Sequence, residues 1–348
     1  MLTQIKNYAL CAALFGLAAG NGAFAQLSTI NSAAIHPREF NDVPGSILTV
    51  VSNYPALVSF QDVNVSAASG FANRHVWRFS ADAGVTPYHF NNNEFFTATM
   101  TLTLTADPIS PRKEAGFLLD TIGGQGQFIV NSDGHEVVVF GGPFPFYAFP
   151  ATFHSGDTVV LGLTYFLNSS GKRAIIYYAN GLQSPPLEFS NLEQGIIDGS
   201  TLGGYFQIVN SPSNPTNSGI AVYQNIKIGG PDRDFDGVPD DVDNCPDTPA
   251  GAIVNAHGCS IEQLVPCAGP ATGGTWRNHG AYVSAVAHAA NAFLAQGLIS
   301  EQERAVIVSQ AAQSDCGFKK PRPARAAPSP KAIPSVLAPA DSLMLEQE

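Results

Sequence analysis

Residues 95–105 read FFTATMTLTLT, and the alternation in this stretch is strict. Phe96, Ala98, Met100, Leu102 and Leu104 fall on one side of an extended backbone, and Thr97, Thr99, Thr101, Thr103 and Thr105 on the other, because successive strand side chains point to opposite faces. A period of two does not suit a helix, so the segment predicts a strand with one dry and one wet face. Further β-branched and aromatic runs, punctuated by Gly, Asn, Pro and Ser, predict strands at 46–51, 74–80, 115–120, 127–131, 136–140, 158–166, 173–178, 204–209 and 220–228. About ten to a dozen such strands close one double-sheet core. The expected fold is therefore mainly β, a two-sheet jelly-roll sandwich over residues 27–229.

Residues 232–259 read DRDFDGVPDDVDNCPDTPAGAIVNAHGC. Taken as a twelve-position loop, Asp232, Asp234 and Asp236 stand at positions 1, 3 and 5, Gly237 at the sharp turn, the Val238 carbonyl at 7 and Asp243 at 12. Asp240, at position 9, is placed to reach the same ion through water. Clustered carboxylates repel one another unless a hard cation draws in their oxygens, and calcium takes six to eight of these at about 2.3–2.6 Å. The segment resembles a thrombospondin type 3 repeat, and CPDTPAGAIVNAHGC resembles the Cys-bounded continuation of such repeats where they act as linkers. That resemblance implies a calcium-stiffened connector over 230–262 with Cys245 bonded to Cys259. Asp243, where helix-loop-helix calcium hands usually carry Glu, agrees with the type 3 pattern.

The first 25 residues carry Lys6, an apolar core and Ala23-Phe24-Ala25 ahead of Gln26, the pattern of a secretory leader cleaved near Ala25. No later stretch is long and apolar enough for a membrane span. A secreted or periplasmic protein is expected. Apart from Cys11 in the leader, four cysteines remain, Cys245, Cys259, Cys267 and Cys316, an even number that argues for two disulfides. Three pairings are open; Cys245 with Cys259 and Cys267 with Cys316 is favoured, since each pair brackets one compositional unit. With 28 acidic against 17 basic residues and a net charge of −11, the chain is unsuited to nucleic acid.

Within 40–229, the runs EAGFLLDTIGGQGQFIV, NSDGHEVVVF, GDTVVLGLTYF, KRAIIYYANGLQ and SGIAVYQNIKIGG resemble the concanavalin A-like lectin and glucanase family, which includes laminin G-like domains. The resemblance implies a sandwich that presents glycan or a cell-surface partner to its loops, with Asn180 in a ligand-facing turn. The ExDxxE strand of the glucanase branch is missing. Glu114 and Asp120 flank one strand, and Asp133 and Glu136 another, without the spacing of a carboxylate pair. No GxSxG elbow or HExxH helix is present. In GGPFPFYAFPATFHSGD, however, Phe144, Phe146, Tyr147, Phe149 and Phe153 crowd one Pro-rich loop. Either sugar rings stack there, or the rings fold back to cap the sandwich.

Residues 263–317 turn Ala-rich. Val283, Val286, Ala287, Ala290 and Leu294 recur at helical spacing, and Ser300 with Glu303 forms a capping box. A small disulfide-stapled helical hairpin follows. Residues 318–348, rich in Pro and Ala, read as a disordered tail. The function expected from all of this is a secreted calcium-binding module whose sandwich binds without catalysis. The alternative is a glycosidase or lyase acting on polysaccharide with its site near residues 144–153.

Overall fold

The computed structural model describes residues 27–189, 197–249 and 251–318. The expected leader and all but the first residue of the expected tail lie outside them. Two antiparallel sheets face each other in a jelly-roll-like sandwich. The seven-stranded sheet runs β1 (Ser32–Asn41), β4 (Ala72–Ser80), β14 (Thr201–Val209), β6 (Lys113–Thr121), β7 (Gly124–Asn131), β8 (Glu136–Phe140), β9 (Tyr147–Thr152). Opposite it, the eight-stranded sheet runs β12 (Leu182–Gln183), β11 (Arg173–Ala179), β10 (Thr158–Leu167), β5 (Phe96–Asp107), β15 (Ser218–Gly229), β3 (Leu57–Val63), β2 (Ile47–Asn53), with β13 (Leu187–Glu188) also on β11.

The central strand β5 does what its alternation requires. Phe96, Ala98, Met100, Leu102 and Leu104 are buried between the sheets, while Thr99, Thr101 and Thr103 are half-buried on the outside. Thr97 departs from the pattern, being buried on the outer face, because the chain returns over it at Asp232. Aromatic rings dominate the core: Trp77 meets Phe79 and Tyr223 edge-on at 5.3 and 5.8 Å. Fully burying such rings contributes roughly 1.5–3 kcal/mol each. Gly204 makes room for Trp77, since a Cβ there would lie 2.0 Å from the indole nitrogen.

Among the described residues five strands were not expected. β1 carries Pro and charged residues that mask its pattern, β9 is the aromatic loop itself, paired to β8 at the sheet edge, β12 and β13 are two residues each, and β3 is the fifth.

Beyond β15 the acidic loop leads through a Cys245–Cys259 disulfide into α1 (Ile261–Leu264), α2 (His279–Ala295) and α3 (Glu301–Gln313), and Cys267 bonds to Cys316. Ser300 caps α3 with Glu303 in the expected box, and Ser260 caps α1 with Gln263 in the same way. The helical core is Val286, Ala290 and Phe293 against Ile261, Val265, Ile299 and Ala311. Val283, Ala287 and Leu294 are only half-buried, so the seam of α2 is turned toward Phe293. The two disulfides fit an extracellular protein; among the described residues no helix is long and apolar enough to cross a membrane.

Candidate functional site

Three places merit chemical inspection. The first is the acidic loop, where one carboxylate oxygen from each of Asp232, Asp234 and Asp236 lies within 4.8 Å of the others. Asp243 joins them over Gly258, whose Cβ, if present, would fall 1.9 Å from Asp243 Oδ1 and 3.0 Å from Asp236 Oδ2.

A common rule governs the four carboxylates. Each has one oxygen held by a backbone N–H: Gly237 donates to Asp232 Oδ2 at 2.9 Å, Thr248 to Asp234 Oδ2 at 2.8 Å, Val238 to Asp236 Oδ1 at 2.8 Å and Cys245 to Asp243 Oδ1 at 2.7 Å. The other oxygen of each, Asp232 Oδ1, Asp234 Oδ1, Asp236 Oδ2 and Asp243 Oδ2, is buried with no hydrogen-bond partner. Asp232 and Asp234 are themselves only 8% and 7% exposed. Burying anionic oxygens without a partner is costly. Burial first, and then the neighbouring carboxylates, pushes Asp232 up to about 7 and Asp236 up to about 6. Oxygen donors alone, already oriented, suit a hard cation such as calcium.

Asp240 differs from its expected role. Both its oxygens are taken by Arg233, the backbone N–H at 3.0 Å and Nε at 2.8 Å, so it braces the loop from outside. Thr248, outside the twelve positions, orients Asp234 and escaped the sequence reading.

The second place is the aromatic loop, where the rings divide. Phe144, Phe149 and Phe153 are buried, with Phe149 stacked on Phe128 at 5.7 Å and Phe144 edge-on to Tyr177. They cap the core and are not presented to a ligand, which corrects the expectation for Phe144 and Phe149. Tyr147 leans edge-on against Phe149, and Phe146 is 70% exposed. Asn180 stands in the left-handed region at φ 46° and accepts from the Val160 N–H at 2.7 Å, which is the work of a turn residue.

The third place, missed from sequence, is the outer face of the seven-stranded sheet. Val76, Leu118, Ile129, Val138 and Tyr205 form a small apolar cluster there, separate from the main core. Above it Arg74 lies over the Tyr205 ring at 6.0 Å, donates to Gln125 at 3.0 Å and pairs with Glu39 at 3.4 Å. The Tyr205 hydroxyl donates to Glu114 Oε1 at 2.5 Å, and Gln207 Nε2 donates to the same oxygen at 3.2 Å. Arg112 approaches the other Glu114 oxygen at 3.9 Å. Burial pushes the Glu114 carboxyl upward, and burial followed by the Glu114 charge holds the Tyr205 phenol well above its usual range. Further along the face Arg78 ties Glu39 to Asp120. The pair Glu114 and Tyr205 can hold and pass one proton. The His75–Asp62 pair lies on the inner face, wholly buried between the sheets.

No family model matches the chain, and no curated protein matches it. Among solved structures it is similar to alginate lyase A1-II', a member of polysaccharide lyase family 7, at 11% identity and a TM-score of 0.38, covering 60% of this chain and 97% of that one. The alginate lyase from Corynebacterium sp. matches at 13% identity and TM-score 0.38, covering 58% and 95%. A Bacteroides ovatus mixed-linkage glucan GH16 structure matches at 8% and 0.37, covering 57% and 94%. At these identities the likeness speaks to the sandwich fold. The structures named are lyases and a GH16 glycosidase, where a sandwich that binds without catalysis was expected, and that expectation is withdrawn.

Proposed function

We propose that the chain is a secreted polysaccharide-degrading enzyme whose reacting groups lie on the outer face of the seven-stranded sheet, not at the aromatic loop. The observation that supports this reading is the 2.5 Å hydrogen bond from Tyr205 to the buried Glu114 carboxyl. Cleaving a glycosidic bond requires a proton for the departing oxygen and a group that removes one from water or from a sugar carbon. A carboxyl whose proton affinity is raised by burial, bonded to a phenol, serves that exchange. Gln207 and Arg112 hold the carboxyl in place, and Arg74, over the Tyr205 ring, offers a cation to a sugar hydroxyl or carboxylate. Asp120 stands six residues from Glu114 on the same face of β6, about 20 Å at strand spacing, too far to form the two-carboxylate pair of most glycosidases. The phenol therefore takes the second role.

The test is product release from a panel of neutral and uronate polysaccharides. New reducing ends or unsaturated products are expected, and Glu114→Gln or Tyr205→Phe should lower turnover at least about 100-fold. Glycan retained on the protein with no product formed would overturn the reading.

The acidic loop supports a second, structural assignment of the type 3 repeat kind. Asp232, Asp234, Asp236 and Asp243 would hold calcium through their four unpartnered oxygens, and the ion would supply the positive charge that this buried cluster lacks. Secretion through a leader cleaved near Ala25 would place the protein in calcium-containing fluid, where its disulfides persist.

A further inference from the structure

The residues between the cation ligands face the other way. Side chains 232, 234 and 236 converge on the cluster, whereas residues 233 and 235, together with the backbone of the ligand residues, meet the outer face of the eight-stranded sheet. The Asp232 N–H donates to Thr97 Oγ1 at 2.7 Å, and the Asp232 carbonyl accepts from Thr164 Oγ1 at 2.8 Å. The Asp234 carbonyl accepts from Gln183 Nε2 at 2.9 Å. Phe235 stacks on Tyr178 with centroids 5.0 Å apart and planes 21° apart, and packs with Phe166, Ala174 and Ile176. The Arg233 guanidinium lies 5.8 Å from the Phe166 ring centroid.

Two features show that sheet and loop are fitted to each other. Gly162 on β10 leaves the hollow that Phe235 fills, because a Cβ there would lie 2.8 Å from Phe235 Cε1. Phe235 also stands at φ 60°, a left-handed conformation that bulky residues seldom adopt. Its ring is thereby turned onto the sheet while its two Asp neighbours point at the cation cluster.

We propose that cation binding by the loop and docking of the loop on the eight-stranded sheet are one coupled equilibrium, with Phe235, Thr97, Thr164 and Gln183 as positioning residues for cation affinity. The inference rests on the calcium assignment above. The same short backbone supplies both contacts, so neither set of partners is ordered without the other. An undocked loop loses the orientation that brings four carboxylates together. Anionic carboxylates gathered without their cation, in turn, repel one another and spread the loop, which loosens its seat on the sheet. Linkage makes the effect reciprocal: whatever weakens docking weakens calcium, and calcium strengthens the sandwich.

Calcium titration of the full disulfide-bonded chain by calorimetry, with thermal unfolding followed in parallel, tests this. Phe235→Ala removes the docked ring without touching a ligand. Gly162→Ala fills the hollow from the sheet side, and Thr164→Val, nearly isosteric, removes the hydrogen bonds to the Asp232 carbonyl and to Thr97 Oγ1 and guards against misfolding of the other two. Wild type should bind calcium, and the affinity of Phe235→Ala should fall at least about 5-fold. The calcium-induced rise in the unfolding temperature of the sandwich should shrink in all three variants. Wild-type affinity in all three, with wild type itself binding calcium, would sink the coupling and leave the calcium assignment standing. No calcium binding by wild type would overturn both.

Discussion

On the seven-stranded sheet the outward positions hold Arg74, Arg78, Glu114, Asp120, Tyr205 and Gln207, whereas on the eight-stranded sheet they hold Thr97, Thr99, Thr101, Thr103, Gly162 and Thr164. The same period of two builds both faces, yet they serve opposite ends. Ionisable groups on the first must pair with one another when partly buried, and burial raises the proton affinities of Glu114 and Tyr205. Hydroxyls on the second can be covered without a desolvated charge, so a loop can lie down on them and use them as hydrogen-bond partners. Paired ionisable groups are thus concentrated on one face and loop attachment on the other.

The division can be broken experimentally at several points. The largest effect is expected at the edge of the seven-stranded sheet, where Phe149→Ala should cost about 3–5 kcal/mol in denaturant unfolding. Phe146→Ala should stay within about 0.5 kcal/mol. Equal effects would return the aromatic loop to consideration as a binding surface. Next, Glu114→Gln should lower polysaccharide turnover at least about 100-fold, while Thr101→Val on the opposite face leaves it unchanged. If both lower it alike, the two faces are not functionally distinct.

Smaller again is the effect of chelation. It should release the loop from the eight-stranded sheet, seen as faster proteolysis after β15, while leaving the Glu114 face unaltered. A fall in turnover matching the proteolysis would join the two faces.

The smallest effect is a pH dependence. Burial raises the native Glu114 carboxyl above its unfolded value, so the native state binds more protons between the two. Stability from this group is therefore present at lower pH and lost as pH rises through the raised native value. Wild type should lose stability across that window relative to Glu114→Gln in chemical denaturation. A flat difference would deny the carboxyl its shifted proton.

Legibility in the sequence followed range. The strand at Thr97–Thr105, the box at Ser300 and Glu303, and the Asp register of the loop are patterns within a dozen residues, and each was readable because backbone geometry repeats locally. The Glu114 site was not. Tyr205 and Glu114 are 91 residues apart, and they meet only because β14 is inserted between β4 and β6. Likewise Phe144 and Phe146, two residues apart, have opposite fates: Phe144 is buried against Tyr177, and Phe146 is exposed.

By itself, then, the sequence determined the β alternation, the Asp register of the loop and an even set of four cysteines outside the leader, all set by short-range geometry and composition. Tertiary structure alone decided which outer face is charged across neighbouring strands, which aromatic rings are core, and that the acidic loop lies docked on Thr97 and Thr164. Strand order and sheet packing bring together groups far apart in the chain, and no local period records which strand lies beside which.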